Sequence, residues 1–156
     1  KHRGYLAGAS RRLVIFWDTS AVIPLVIDEP TTGRLREVWQ RDPGMVVWWG
    51  TSVECASALA RVGRDGVVPD KDVDVARALL QTIASSWTEV LPTDGVREHA
   101  GRILLRHPLR AADALQIGAA MVWANDRPRG HPFCTRDTRL AEVARLEGFK
   151  VVADVT

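Results

Sequence analysis

Four acidic side chains, each at the end of a predicted strand or the start of a predicted helix, could together bind a metal ion. Asp18 directly follows the apolar stretch LVIFW, and Asp137 comes shortly after the stretch HPFCT. Glu54 and Asp113 lie in the first turns of predicted helices. Taken singly, each has an ordinary explanation as a helix cap or a partner of the helix dipole, and Thr51 with Glu54 forms a capping-box pattern. The joint placement of all four favours a shared site.

A cluster of four carboxylates is typical of a site for Mg²⁺ or Mn²⁺. Such groups repel one another at short range, and a divalent cation offsets that repulsion. Oxygen ligands without thiolate or imidazole favour these hard ions over zinc. The site would suit hydrolysis of phosphodiester bonds, because such ions activate a water nucleophile and stabilise charge on the attacking and leaving oxygens.

Strand-like and helix-like apolar patterns alternate along the chain. The predicted strands are 13–17, 45–49, 88–92, 131–135 and 149–155, and the predicted helices are 20–29, 32–42, 52–66, 70–87, 94–107, 110–126 and 137–148. Because each parallel crossover needs a connection of helix length, this alternation predicts an α/β fold with a central parallel sheet of about five strands, covered on both faces. In such sheets the ligand crevice lies beyond the carboxyl ends of the strands, where the four acids are expected to meet.

Apolar residues at helical spacing predict which helix faces are buried. The predicted buried residues are Val53, Ala56 and Ala60 in the helix 52–66, and Val75, Leu79 and Ile83 in the helix 70–87. Most of the six tryptophans fall in predicted strands or on apolar helix faces, which favours packing in a core or a dimer over stacking on bases.

The composition predicts one domain without a membrane-spanning segment. The chain has 156 residues, of which 46% are hydrophobic and 26% charged, enough for one well-buried core. No apolar run approaches the roughly 20 residues needed to cross a bilayer, so no membrane contact is expected. The two cysteines, Cys55 and Cys134, have no disulfide or zinc-binding spacing and favour a reducing cytoplasm.

Positive charge is concentrated at the N-terminus. Four basic and no acidic residues lie among the first twelve, whereas the remaining 17 basic and 19 acidic residues give −2 within a total of +2. Residues 1–12 are therefore predicted to be a tail, native or left over from cloning, and residues 13–156 to form a single domain. That domain is mildly acidic, so a polyanion would have to be held by a local patch or by metal ions.

The ordered motifs resemble those of PIN-domain nucleases, and more narrowly those of VapC-type toxins from bacterial toxin–antitoxin pairs. The segment FWDTSA is similar to the family's first acidic motif and TSVECASALAR to its second. LRAADALQIGAA is similar to the third, and FCTRDTRLAEVARLEGFKVV to the last strand, acid and closing helix. The resemblance runs from about Leu13 to Val155, nearly the whole chain.

This resemblance implies a three-layer α/β/α PIN-like domain with nuclease activity. It implies that Asp18, Glu54, Asp113 and Asp137 are catalytic acids that bind Mg²⁺ or Mn²⁺. The expected activity is metal-dependent endoribonuclease cleavage of RNA by a toxin of a type II pair. The expected partners are the RNA substrate, a cognate VapB-type antitoxin and a second copy of the chain in a homodimer.

By the same matching, three further residues are candidates for supporting roles. Thr135, shortly before the last acid, is expected to hydrogen-bond a metal-binding carboxylate or water. Ser20 is a similar candidate, with a helix cap as its structural alternative. Arg110, beside the third acid, is a candidate phosphate contact or a surface arginine. Gln116 departs from the family, which often has histidine or a similar residue at this position.

The sequence was also compared with other functions that an α/β fold can carry. A haloacid-dehalogenase-like phosphatase needs a second acid where Ser20 stands, and a receiver domain needs a lysine after a late strand, which the sequence lacks. Two alternatives share the resemblance: an RNA-processing PIN nuclease that has no antitoxin, and a non-catalytic PIN-like binding module.

Overall fold

The computed structural model describes residues 14–42 and 44–152, in which short strands alternate with helices. Its elements are β1 (Phe16–Trp17), α1 (Thr19–Val22), a 3-10 turn (Ile23–Leu25), α2 (Thr32–Arg41), β2 (Val46–Trp48), α3 (Thr51–Asp65), α4 (Asp70–Ala84), β3 (Thr88–Val90), α5 (Asp94–Arg106), α6 (Ala111–Trp123), β4 (Pro132–Cys134), α7 (Thr138–Leu146) and β5 (Lys150–Val152). The tail predicted over 1–12 lies outside the described residues, as do Leu13 and 153–156. The division into a tail and one domain stays a prediction.

The five strands form one parallel sheet in the order β3-β2-β1-β4-β5. Strand β1 is central, with Phe16 opposite Val46 on one side and Phe133 on the other. Successive side chains point to opposite faces, so Phe16 packs with α5, α6 and α7 while Trp17 packs with α1 to α4. The predicted three-layer α/β/α fold with a central parallel sheet is confirmed.

Helix α6 packs unusually close to α5. A Cβ atom added at Gly118 would lie 2.7 Å from the backbone oxygen of Val96, which is closer than packed atoms approach. Glycine at this position therefore allows the two helix backbones to meet. The close contact fixes the position of α6, whose first turns carry Asp113 and Gln116.

A buried carboxylate outside the predicted site supports β1. Asp42 is 1% exposed, and its Oδ2 atom accepts hydrogen bonds from the Ile15 backbone N–H at 3.0 Å and from Trp17 Nε1 at 3.1 Å. The Gly44 N–H donates to the other oxygen. Burial raises the pKa of Asp42, and these three donors oppose that rise. The contacts hold the strand that leads into Asp18.

The helix predicted over 20–29 is wrong. Helix α1 ends at Val22, and a 3-10 turn continues to Leu25. Pro24 lies in the first turn of that 3-10 segment. Its ring nitrogen has no N–H to donate, so it cannot continue the hydrogen-bond ladder of α1.

The predicted buried faces of α3 and α4 are also largely wrong. Helix α3 buries Thr51, Cys55 and Leu59, and helix α4 buries Val73, Ala76 and Ile83. Ile83 was predicted correctly, whereas Val53 is 68% and Val75 66% exposed. Val53 lies two residues from Thr51, about 200° around the helix, so the two side chains face opposite directions. The true face of α3 contains threonine and cysteine, which an apolar pattern does not mark.

None of the helices in the described part of the chain combines the length and apolar character needed to cross a bilayer.

Candidate active site

A cavity of about 590 Å³ lies beyond the carboxyl ends of the central strands. All four sequence-predicted acids line it: Asp18, Glu54, Asp113 and Asp137. Asp18 follows β1 and Asp137 follows β4, and these two strands are neighbours in the sheet. Glu54 and Asp113 come from the first turns of α3 and α6. The structure therefore brings together carboxylates that are far apart in the sequence.

Asp18 is held by one of its two carboxylate oxygens. The residue is 4% exposed, and Oδ2 accepts hydrogen bonds from Ser20 Oγ at 2.6 Å, Ser20 N at 3.2 Å and Thr135 Oγ1 at 2.9 Å. The bond from Ser20 N makes Asp18 the N-cap of α1, so the capping explanation is correct as far as it goes. Among the described residues, no hydrogen bond reaches Oδ1. This oxygen is available to a ligand in the cavity.

Burial dominates the electrostatics of Asp18. Loss of hydration raises the pKa of Asp18 from 3.8 to about 6, and the charge of Glu54 adds to the rise. The hydrogen bonds from Ser20 and Thr135 oppose it. The carboxylate is thus ionised near neutral pH at a cost in stability, which a bound cation would offset.

Glu54 is not part of a capping box. The N-cap of α3 is Gly50, and no side chain caps the helix. The Oε2 atom of Glu54 accepts hydrogen bonds from Thr19 Oγ1 at 2.7 Å and from Gln116 Nε2 at 3.2 Å. Thr51 is fully buried, and its hydroxyl lies 3.4 Å from the same Gln116 nitrogen. The capping-box explanation is therefore wrong, and Glu54 is held in the cavity wall by side chains from α1 and α6.

Asp113 is partly buried at the site and Asp137 is exposed. Burial raises the pKa of Asp113, and the charge of Asp137 adds to that rise, while Arg110 and Arg139 oppose it. Asp137 is exposed and caps α7, with its Oδ1 atom accepting a 2.9 Å hydrogen bond from the Leu140 N–H. Both acids therefore line the cavity where solvent and a substrate can reach them.

Two hydroxyl groups join the ends of β1 and β4. Thr135 is 2% exposed and lies 3.1 Å from Ser20 through their hydroxyl oxygens. The Asp137 N–H donates to Thr135 Oγ1 at 3.1 Å, and the Arg136 N–H donates to Ser20 Oγ at 2.9 Å. These contacts link the first and the last acid through side chains that also hold Asp18.

The family model for the PIN domain matches residues 15–146. The chain belongs to the PIN domain family. The resemblance stated from the sequence is confirmed at this level, and PIN domains are in general nucleases. None of the curated proteins matches the sequence.

Several solved structures are similar to this PIN domain in fold. A toxin–antitoxin complex from Klebsiella pneumoniae is 15% identical and gives a TM-score of 0.61, with 89% of this chain and 96% of that chain covered. PAE2754 from Pyrobaculum aerophilum is 19% identical with a TM-score of 0.63, covering 92% and 93%. FitAcB from Neisseria gonorrhoeae is 17% identical with a TM-score of 0.62, covering 90% and 97%. At these identities the similarity shows the fold.

Arginines lie in and next to the cavity of this PIN domain. Arg110 is exposed at the N-cap position of α6 and is not among the residues that line the cavity. Arg61 and Arg136 do line it. The guanidinium of Arg136 forms an ion pair with Glu29. Arg61 lies seven residues after Glu54, two turns further along the same face of α3, and this spacing could have identified it.

The donor chemistry of the cavity fits a hard cation. Within the described ranges, no three His, Cys, Asp or Glu side chains are placed closely enough to coordinate one ion as they stand. The cavity nevertheless contains carboxylate oxygens from four residues, and one oxygen each of Asp18 and Glu54 has no hydrogen bond within the described residues. Oxygen donors of this kind are the ligands that Mg²⁺ and Mn²⁺ prefer. Coordination of one ion by three of these acids would require their carboxylates to move closer together.

Proposed function

We propose that this PIN domain is a Mg²⁺- or Mn²⁺-dependent endoribonuclease that acts as the toxin of a type II, VapC-type toxin–antitoxin pair. The observation that carries the proposal is the convergence of Asp18, Glu54, Asp113 and Asp137 on one cavity. Separate helix caps would have no reason to meet in one place, and the chemistry of grouped carboxylates with a divalent cation suits phosphodiester hydrolysis.

In this proposal the four acids hold the metal, and the neighbouring side chains orient them. Ser20 and Thr135 fix one oxygen of Asp18 and leave the other for the cation. When bound, the ion supplies the positive charge that activates water and stabilises the phosphate oxygens. Its charge also lets the acidic cavity accept a polyanion.

Arginines are the proposed contacts to the RNA backbone. Arg136 adjoins Asp137, and its ion pair with Glu29 places its charge at the cavity wall. The backbone of Arg61 is about 10 Å along α3 from that of Glu54, and we assign Arg61 to a phosphate that flanks the one being cleaved. Arg110 remains a candidate contact outside the cavity lining.

The proposed partners follow from similarity and chemistry together. The Klebsiella pneumoniae structure is a toxin–antitoxin complex, which supports a VapB-type antitoxin as the partner of this chain. A homodimer is part of the same proposal. The two cysteines are buried and unpaired, which suits a protein that acts in the reducing cytoplasm.

The activity is tested by cleavage of single-stranded and looped RNA. The wild type is expected to cleave RNA in the presence of Mg²⁺ or Mn²⁺ and to lose this activity when a chelator is added. Asp18→Asn and Asp113→Asn are expected to lose at least about 100-fold in rate while keeping the wild-type circular dichroism spectrum. Asp94→Asn is the matched control, because Asp94 is an exposed acid in the first turn of α5. Equal cleavage by chelated protein or by either site variant would contradict the proposal.

The toxin role is tested separately, by growth. Expression of the wild type in a bacterial host is expected to arrest growth, whereas Asp18→Asn is expected not to. Cleavage of RNA in vitro without any arrest would favour an RNA-processing nuclease that has no antitoxin. Binding of RNA without cleavage would favour the non-catalytic module.

A further inference from the structure

Gln116 is a fully buried amide directly behind the candidate site. Its Nε2 atom lies 3.2 Å from Glu54 Oε2, 3.1 Å from Thr19 Oγ1 and 3.4 Å from Thr51 Oγ1. Thr19 in turn donates to the same Glu54 oxygen at 2.7 Å. One amide group therefore contacts side chains from α1 and α3.

We propose that Gln116 is a positioning residue, which orients the Glu54 carboxylate so that its second oxygen faces the metal. This inference rests on the proposed nuclease function. The sequence alone marks Gln116 only as a departure from the family pattern.

The orientation of the amide follows from its partners. An ionised carboxylate oxygen can only accept hydrogen bonds, so the amide nitrogen of Gln116 and not its oxygen must face Glu54. The Thr19 hydroxyl gives its proton to Glu54 and can therefore accept from Gln116. Both donors act on Oε2, which fixes the rotation of the carboxylate and leaves Oε1 without a partner among the described residues.

The helix places Gln116 and Asp113 in register. They are three residues apart, so both project from the same side of α6, Asp113 into the cavity and Gln116 behind it. The close contact at Gly118 holds this part of the helix. A shift of Gln116 would therefore be transmitted to two of the four acids.

A purely structural role explains this amide poorly. Gln116 Oε1 is buried, and no donor among the described residues reaches it. Burying an amide oxygen without a protein donor destabilises the fold, and methionine would fill the same space without that cost. We therefore assign the role of the amide to its nitrogen, which contacts Glu54.

The contact itself is tested without metal or RNA, by a double-mutant cycle. Gln116→Met, Glu54→Met and the double variant are unfolded with urea in chelator, because methionine at either position removes the hydrogen bond without offering a new partner. If the pair interacts directly, the unfolding equilibrium constant of the double variant should differ roughly tenfold from the value expected when the effects of the two single changes are combined. Additive effects would overturn the proposal.

The role in the site is tested by Mn²⁺ binding, followed by electron paramagnetic resonance, and by the metal dependence of RNA cleavage. Gln116→Met is expected to weaken Mn²⁺ binding about 10-fold or more, as loss of a residue that orients a ligand does. Gln116→His retains an N–H donor and is expected to recover most of the affinity. Met121→Leu is the matched control, a buried conservative change on the same helix.

The outcomes separate this inference from the function on which it rests. If the wild type binds Mn²⁺ and cleaves RNA while Gln116→Met does both equally well, the role of Gln116 is overturned and the nuclease stands. If the wild type neither binds Mn²⁺ nor cleaves RNA, the nuclease proposal fails and this role fails with it.

Discussion

Thr135 Oγ1 donates a 2.9 Å hydrogen bond to Asp18 Oδ2, joining the carboxyl ends of two adjacent strands, β4 and β1. The same hydroxyl accepts from the Asp137 N–H. One buried threonine therefore sets the position of the first acid relative to the last.

Replacing Thr135 with valine removes that hydroxyl with little change of shape. We expect Thr135→Val to lower the cleavage rate by about 10- to 100-fold, since Asp18 loses a donor that orients it. The loss in unfolding free energy should be about 1 kcal/mol. Steady-state kinetics measures the cleavage rate, and urea unfolding measures the unfolding free energy. Thr135→Ser keeps the hydroxyl and serves as the control. If Thr135→Ser lowers the cleavage rate as much as Thr135→Val, the lost hydrogen bond is not the cause.

The raised pKa of Asp18 predicts a pH dependence of stability in metal-free protein. Because its pKa rises from 3.8 to about 6 on folding, the native state holds this proton more tightly than the unfolded chain. The resulting stabilisation is complete below about pH 3.8 and is lost as the pH rises through about 6. The pKa difference corresponds to about 3 kcal/mol.

Asp18→Asn should therefore become more stable than the wild type as the pH rises from 4 to 7, measured by urea unfolding in chelator. Added Mg²⁺ should narrow the difference at pH 7, because it stabilises only a native state that binds it. A difference that does not vary with pH would show that Asp18 has no such raised pKa.

Arg61 is predicted to hold RNA without taking part in the chemistry. We expect Arg61→Gln to weaken RNA binding several-fold at low salt with little change in kcat, and to reduce the dependence of log Kd on log salt by about 0.7. Arg64→Gln is the matched control, because Arg64 is on the same helix but lines a different cavity. Equal effects of the two variants would indicate general charge attraction and not a specific contact.

Asp42 is predicted to support the fold and not the site. Asp42→Ala leaves the Ile15 N–H and Trp17 Nε1 without an acceptor, and we expect a loss of about 3 kcal/mol in unfolding free energy. Asp42→Asn keeps one acceptor oxygen and should cost less. Below the unfolding transition, the cleavage rate per folded molecule should stay near that of the wild type. A loss of rate with unchanged stability would contradict this assignment.

The order of elements and the meeting of the acids could be predicted because strand ends are local features. Apolar runs mark the strands, and acids directly after them fall at one edge of a parallel sheet. The helix over 20–29 was wrong because Pro24 limits α1 locally while the apolar pattern runs on. Val53 was wrongly predicted to be buried. Its side chain lines the cavity and is exposed there.

The partners of the acids could not be predicted, since they depend on contacts between distant segments. Gln116 and Thr19 are separated by 97 residues. A glutamine in a helix is usually exposed. The apolar residues around Gln116 indicate a buried helix, but they do not identify Glu54 as the partner of its amide. Asp42 was missed for the same reason, because its donors lie on another element.

Metal binding by the four acids is tested most directly by anomalous diffraction from crystals soaked in Mn²⁺ at concentrations that support cleavage. We predict a Mn²⁺ peak in the cavity, coordinated by oxygens of Asp18 and Glu54 together with Asp113 or Asp137, and no peak in Asp18→Asn crystals. A wild-type cavity without Mn²⁺ under those conditions would contradict it.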